Sequence, residues 1–335
     1  MKEYIPSYRR PKIVVIGGGT GLPVILKELK DKNADVTAIV TVADDGGSSG
    51  ELRKAFNVVP PGDIRNILVA LSDMPALHKS MFQYRFKSED KTFDGHSLGN
   101  LILLAASEMQ GGSMYQAIQL MAKMMHVDAH VYPASDEPLI LHARYTDGTV
   151  GSGESKIARA DKVIDYVAVS TVSDSPDHTP VRAGKKVVSS IMEADMIVLG
   201  PGSLYTSILP TLMIPEVGQA ILETSAKILY ICNIMTQFGE TEGFTDADHV
   251  RVLHKHLSQK FVDILLANIG EVPDEYIFRN ENEEYLYPVE HDFEACREEV
   301  ETVISDNFLN LTDKGVYHNG EKVVSEIFHL LSSHQ

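Results

Sequence analysis

The chain is short of the features that mark secreted, membrane-spanning or nucleic-acid-binding proteins. It has only two cysteines, Cys232 and Cys296, with no CxxC spacing. Cys232 lies inside an apolar run and reads as a buried thiol, which points to a reducing, cytoplasmic setting. Positive charge is also scarce. Thirty Lys and Arg face 47 Asp and Glu, a formal net charge of −17, which argues against broad contact with nucleic acid or an anionic membrane surface. A phosphorylated ligand would therefore have to be held by local backbone donors and a few bases. No apolar run approaches the roughly 20 residues of a membrane span, and the opening ten residues are mostly polar, so we expect neither membrane insertion nor a secretory leader. His126, His130, His142 and His178 form no metal-ligand pattern on one element. The remaining composition, 44% hydrophobic and 23% charged over 335 residues, is that of a globular chain able to bury a sizeable core. Its length suits two domains or one large α/β domain.

The stretch 12–29 organises the rest. Ile13-Val14-Val15-Ile16 reads as a strand buried on both faces. Gly17-Gly18-Gly19-Thr20-Gly21 follows, and Pro23 sits where the first turn of a helix tolerates it. Strand, glycine turn and helix aim backbone N–H groups and a positive helix end at one point, where a phosphate is the natural occupant. Leu22 stands where the dinucleotide fingerprint G-x-G-x-x-G wants its third glycine, and no Gly-Lys-Ser/Thr follows, so this is not a Walker loop. A tight turn without ligand is the alternative, but four glycines in five residues exceed what a turn needs.

A second strand at 35–42 ends in Asp44-Asp45-Gly46-Gly47-Ser48, where either acid is placed to take a ribose hydroxyl or to hold Mg²⁺ beside a diphosphate. The competing reading is a solvated Asp-Gly loop. Pro61-Gly62-Asp63-Ile64-Arg65-Asn66 opens a helix on which Asp63 and Asn66 share a face, although Asp63 is equally suited to cap it. His96 precedes another helix start, followed by Asn100. Stretch 127–180 alternates weakly and carries a hairpin signal after 139–145, so we expect a β-rich insertion there, with loops at 174–180 and, later, 279–284. The α/β pattern resumes with a strand at 195–199 and a second glycine turn, Gly200-Pro201-Gly202-Ser203-Leu204-Tyr205-Thr206-Ser207. Ser203 is placed as an N-cap and Thr206 adds a hydroxyl. After a buried strand at 226–234, Asn233, Thr236 and Gln237 suit hydrogen bonding to a base or sugar better than they suit chemistry. The expected architecture is a Rossmann-like, mostly parallel sheet with helices on both faces. Residues 11–126 form its nucleotide-binding part, 127–180 the insertion, and 181–335 complete the same α/β domain.

Taken in order, the two glycine turns, the Asp44-Asp45 motif, Pro61–Asn66, His96-Ser97-Leu98-Gly99-Asn100 and Asn233-Ile234-Met235-Thr236-Gln237 resemble the CofD-like superfamily, and most of all its YvcK branch, the gluconeogenesis factors. The resemblance runs from about residue 12 to 317. It implies a cytoplasmic regulatory protein that binds UDP-sugars such as UDP-N-acetylglucosamine and supports cell shape during growth on gluconeogenic carbon sources. In the CofD branch it implies a 2-phospho-L-lactate transferase that uses Mg²⁺ and a nucleotide leaving group. Asp45 and Asp63 are then the candidate catalytic and metal residues. Gly17–Gly21, Asp44, Gly46, Ser48, Asn66, His96, Asn100, Gly200, Gly202, Ser203, Leu204, Thr206, Asn233, Thr236 and Gln237 are the candidate ligand contacts. An oligomeric scaffold remains a third class.

Overall fold

The computed structural model describes residues 9–89, 92–171, 181–277, 285–313 and 315–333. The loops expected at 174–180 and 279–284, and with them His178, lie outside these residues.

Seven parallel strands form the central sheet: β1 (Lys12–Gly17), β2 (Asp35–Val40), β3 (His130–Pro133), β4 (Met196–Leu199), β5 (Lys227–Ile231), β6 (Ile264–Asn268) and β7 (Thr302–Asp306). Their spatial order is β3-β2-β1-β4-β5-β6-β7. Every pairing is parallel, as expected for β-branched strands covered on both faces. Ile13, Val15 and Ile16 are fully buried, as are Ile197, Val198 and Leu199 of β4. Strand order runs outward in both directions from β1, so the sheet switches direction between β1 and β4. In open α/β sheets ligands bind outside the carboxyl ends of the strands at that switch. Both glycine turns leave the sheet there.

Six helices occupy the first half: α1 (Leu22–Lys30), α2 (Gly47–Phe56), α3 (Gly62–Leu71), α4 (Ala76–Gln83), α5 (Leu98–Met109) and α6 (Met114–Met124). One competing reading and one expectation need correction. Asp44-Asp45-Gly46-Gly47 is not a solvated loop: it leads into α2, and Asp44 and Asp45 are half-buried. Glycine-rich sequence hides that helix, yet Gly50 is required inside it, because a Cβ there would overlap the Asp45 carbonyl. His130–Pro133 does not belong to a β-rich insertion. It pairs with β2, Val131 opposite Ala38, and forms the sheet edge. The antiparallel unit begins only with Leu139–Tyr145, flanked by Val150–Ser152 and Ile164–Thr171. Only His130 of this four-residue strand is exposed, and so short an apolar run does not show which sheet it joins.

Further along, Met235–Gln237 pairs with Tyr285–Pro288, and Leu309–Thr312 with Gly315–His318 form a hairpin. Both stand on the carboxyl side of β5. Among the described residues no helix is long and apolar enough to cross a membrane.

Candidate functional site

Ile16 of β1 pairs with Leu199 of β4, so the turns that follow them are neighbours. Gly200 N–H donates to the Ile16 carbonyl at 2.9 Å. A Cβ on Gly202 would lie 3.1 Å from the Gly18 carbonyl oxygen, and one on Gly21 would lie 2.9 Å from the Pro201 oxygen. Only bare backbone lets these two turns approach so closely. Gly19 and Gly200 have φ of +70° and +81°. No described residue accepts the N–H groups of Thr20, Gly21, Gly202 or Ser203. Together with the positive end of α1, which has no acid in its first turn, they make a donor-lined concavity suited to an anion.

A cleft of about 480 Å³ opens over this junction. Gly19, Thr20, Gly21, Gly202, Ser203 and Thr206 form its floor, and Asn233 and Gln237 stand on its wall. These eight expected contacts are brought together. Gly17 ends β1, and Gly18 is packed so tightly that a Cβ would fall 2.5 Å from both Asp63 and Thr41. They shape the turn from beneath. Leu204 is a core residue. Thr236 bonds the Tyr287 backbone at 3.1 and 3.2 Å, holding Met235–Gln237 against its partner strand.

Carboxylates underlie both turns. Asp63 accepts the Gly19 N–H at 2.7 Å and makes no cap on its own helix. Burial, aided by Asp44 and opposed by the Gly19 N–H, raises its pKa to about 6. In the second turn Ser203 donates to Glu240, Thr206 Oγ1 donates to Ser203 Oγ at 2.7 Å, and Thr206 N–H donates to the same oxygen at 3.0 Å. Asp44 accepts the Gly46 N–H at 2.8 Å, and burial raises its pKa. Asp45 accepts both the N–H and the hydroxyl of Ser155, at 2.9 and 2.6 Å. Glu154, next to that serine, lines the cleft. Burial first, then Asp44, Asp45 and Glu240, push its pKa up to about 8, so it is mainly a neutral acid at pH 7.

Ser48, His96 and Asn100 form a separate network around α3 and α5. Ser48 Oγ lies 2.9 Å from His96 Nδ1 and accepts from Asn100 Nδ2 at 3.0 Å. His96 Nε2 lies 3.1 Å from Glu51. Buried Arg65 donates to Ser97 and, at 2.9 Å, to Asn100, and reaches Asn66 at 2.8 Å. Its stem crosses Gly99, where a Cβ would sit 2.7 Å from Arg65 Cδ. None of these expected contacts lines the cleft itself.

Sequence reasoning missed Glu154, Tyr276, Asp313, Tyr317 and His318, which all line the cleft. His318 Nε2 donates to the Cys232 carbonyl at 3.0 Å, and burial lowers its pKa to about 4, so the ring is neutral. The Gly153-Glu154-Ser155 turn offered a faint signal. The hairpin residues offered none, since only folding carries them back over β5.

The model of the CofD family, described as 2-phospho-L-lactate transferase CofD, matches residues 13–309. The chain belongs to the CofD family. It is 58% identical over 317 residues to a Lactococcus lactis protein named "Putative gluconeogenesis factor", covering 95% of this chain and 96% of that protein. It is 45% identical over 322 residues to the gluconeogenesis factor of Listeria innocua, covering 96% of each. The crystal structure of a Bacillus halodurans protein superimposes with a TM-score of 0.89 at 41% identity, covering 95% of this chain and 99% of that one. Within the CofD family the chain therefore groups with the gluconeogenesis factors, and the α/β architecture is shared with a solved relative.

Proposed function

We propose that this CofD-family protein is a cytoplasmic regulator that binds a nucleotide-sugar of the UDP-N-acetylglucosamine type and serves cell shape during gluconeogenic growth. The observation that carries the reading is the meeting of two glycine turns at the β1/β4 switch, with N–H groups of both turned to one cleft. Backbone donors would take the diphosphate, and Asn233 and Gln237 the polar edges of base or sugar. The volume falls in the usual range of small-ligand sites, about 300–1,000 Å³. The names of the gluconeogenesis-factor relatives support the link to gluconeogenic growth. Calorimetry with UDP-N-acetylglucosamine tests it: we expect heat and an upward shift in thermal midpoint, and neither at millimolar ligand would overturn it.

The transferase reading is favoured by one observation, the carboxylates Asp44, Asp45, Asp63 and Glu154 near the first turn. Among the described residues no three His, Cys, Asp or Glu side chains are arranged to hold a metal. Asp63 is engaged by the Gly19 N–H and Asp45 by Ser155, so Mg²⁺ on either carboxylate would need ligand phosphates to complete its shell, the usual mode for this ion. Bound Mg²⁺ would supply charge neutralisation for group transfer. Metal-dependent release of a nucleoside monophosphate would establish this reading, and its absence with phospholactate-type acceptors would remove it.

A further inference from the structure

Ser48, His96 and Asn100 stand away from the cleft, and the nucleotide-sugar reading gives them no task. Their hydrogen bonds run in one direction. Arg65 can only donate, so Asn100 turns its Oδ1 to the guanidinium, at 2.9 Å, and its Nδ2 to Ser48 Oγ, at 3.0 Å. At the other end the Glu51 carboxylate can only accept, which draws the ring proton of neutral His96 to Nε2, 3.1 Å away. Nδ1 is left as a bare acceptor 2.9 Å from Ser48 Oγ, and the serine proton points at it. A hydroxyl donating to an imidazole that a carboxylate orients is the arrangement that activates a nucleophile. Both Ser48 and His96 are buried, yet open space adjoins each, because a Cβ on Gly47 or on Gly95 would meet no atom within 4 Å.

The local chain fits the same chemistry. Gly46-Gly47-Ser48-Ser49-Gly50 has the form G-x-S-x-G, and it lies between strand β2 and the start of α2, the strand–turn–helix setting in which that motif presents a nucleophile. Gly47 takes a φ of +44°. The Ser49 N–H, next after the serine, has no acceptor among the described residues and belongs to a helix start free of acids, so it is available to an oxyanion. We propose that Ser48, His96 and Glu51 form a nucleophile–base–carboxylate relay, a second site in this chain that cleaves small carboxylic esters. Ser48 Oγ bonds to the carbonyl carbon as its proton passes to His96 Nδ1, then the ester C–O bond breaks and the alcohol leaves with that proton. Water attacks the acyl carbon and gives a proton to His96, which returns it to Ser48 Oγ as the acid departs. The ring is turned end for end relative to the serine proteases, but either nitrogen serves as base when the other holds the proton. Glu51 and Asn100 act as positioning residues.

A fluorophosphonate, which exchanges its fluoride for a serine oxygen, tests the relay on the full chain. Peptide mapping by mass spectrometry should place the adduct on Ser48, and 4-nitrophenyl acetate should be hydrolysed. Ser48→Ala should remove both signals, and His96→Gln should slow both by about a hundredfold or more. Glu51→Gln should slow them less, because this carboxylate is 67% exposed. Wild-type labelling should slow by about tenfold or more from pH 8 to pH 5, as imidazole gains a proton, a dependence that a purely structural serine would not show. Circular dichroism and thermal melts check that each variant is folded; if Ser48→Ala misfolds, the position of the adduct and its pH dependence in the wild type carry the test. An unmodified Ser48 after hours at millimolar probe overturns the proposal, as does labelling of Ser48 at the same rate in folded His96→Gln.

Discussion

The two glycine turns share a place at the switch point but are built differently. The first is rigid from below: Gly18 is wedged against Asp63 and Thr41, and Asp63 takes the Gly19 N–H. The second is held from the side, by Ser203 and Thr206 bonded to one another and to Glu240. In the first turn a carboxylate faces the backbone donors directly. In the second the hydroxyls stand between acid and backbone. An anion at this junction thus meets a carboxylate whose charge is already costly at the first turn, and hydroxyls that can re-aim at the second. The first turn should therefore control binding through protonation or a bridging cation, and the second through hydrogen-bond geometry.

The largest effect should come from filling the wedge. Gly18→Val forces a side chain into Asp63 and Thr41 and should cost about 2–3 kcal/mol of stability, read by chemical denaturation, with loss of UDP-N-acetylglucosamine heat. Unchanged stability would mean that the first turn is not rigid from below.

Asp63→Asn should act in the opposite direction. The folded carboxyl holds its proton to about pH 6, whereas the unfolded one loses it near 3.8. Wild-type stability from this group is thus highest below pH 4 and declines as pH rises from about 4 to 6. Asparagine keeps an acceptor for the Gly19 N–H without the charge. It should gain about 2–3 kcal/mol over wild type at pH 7.5, a gain that vanishes below pH 4. A variant less stable at pH 7.5 would show that the ionised carboxylate is needed in the fold.

Glu154 sharpens the contrast from the cleft side. Since its carboxyl ionises only near pH 8, affinity for a diphosphate ligand should fall about fivefold between pH 7 and 9 in the wild type, roughly 1 kcal/mol. Glu154→Gln should flatten that profile in calorimetry. Matching profiles would remove Glu154 from the ligand's surroundings.

The smallest change is expected at the second turn. Ser203→Ala removes a cap on Thr206 N–H and the link to Glu240, and should cost about 1 kcal/mol in thermal or chemical unfolding, with weaker ligand binding rather than none. A loss matching Gly18→Val would erase the distinction between the turns.

Much of this was legible in the residues. Buried β-branched runs marked the strands, and the two strand–glycine–helix junctions marked where the floor of the cleft would be. Asn66, His96 and Asn100 were expected among the ligand contacts, but with Arg65 they form a network of their own, because helices α3 and α5 pack their inner faces together. The edge strand His130–Pro133 was misread because a strand's partner is not written in its own pattern.

The sequence by itself determined where backbone N–H groups would be exposed, since glycine placement and strand ends are local properties of the chain. Only the tertiary structure decided that β1 and β4 lie side by side, so that Gly18 and Gly202 touch, and that Glu154, Tyr317 and His318 close over them. Pairing between strands some 180 residues apart is chosen by the burial of whole faces, and no local segment contains that information.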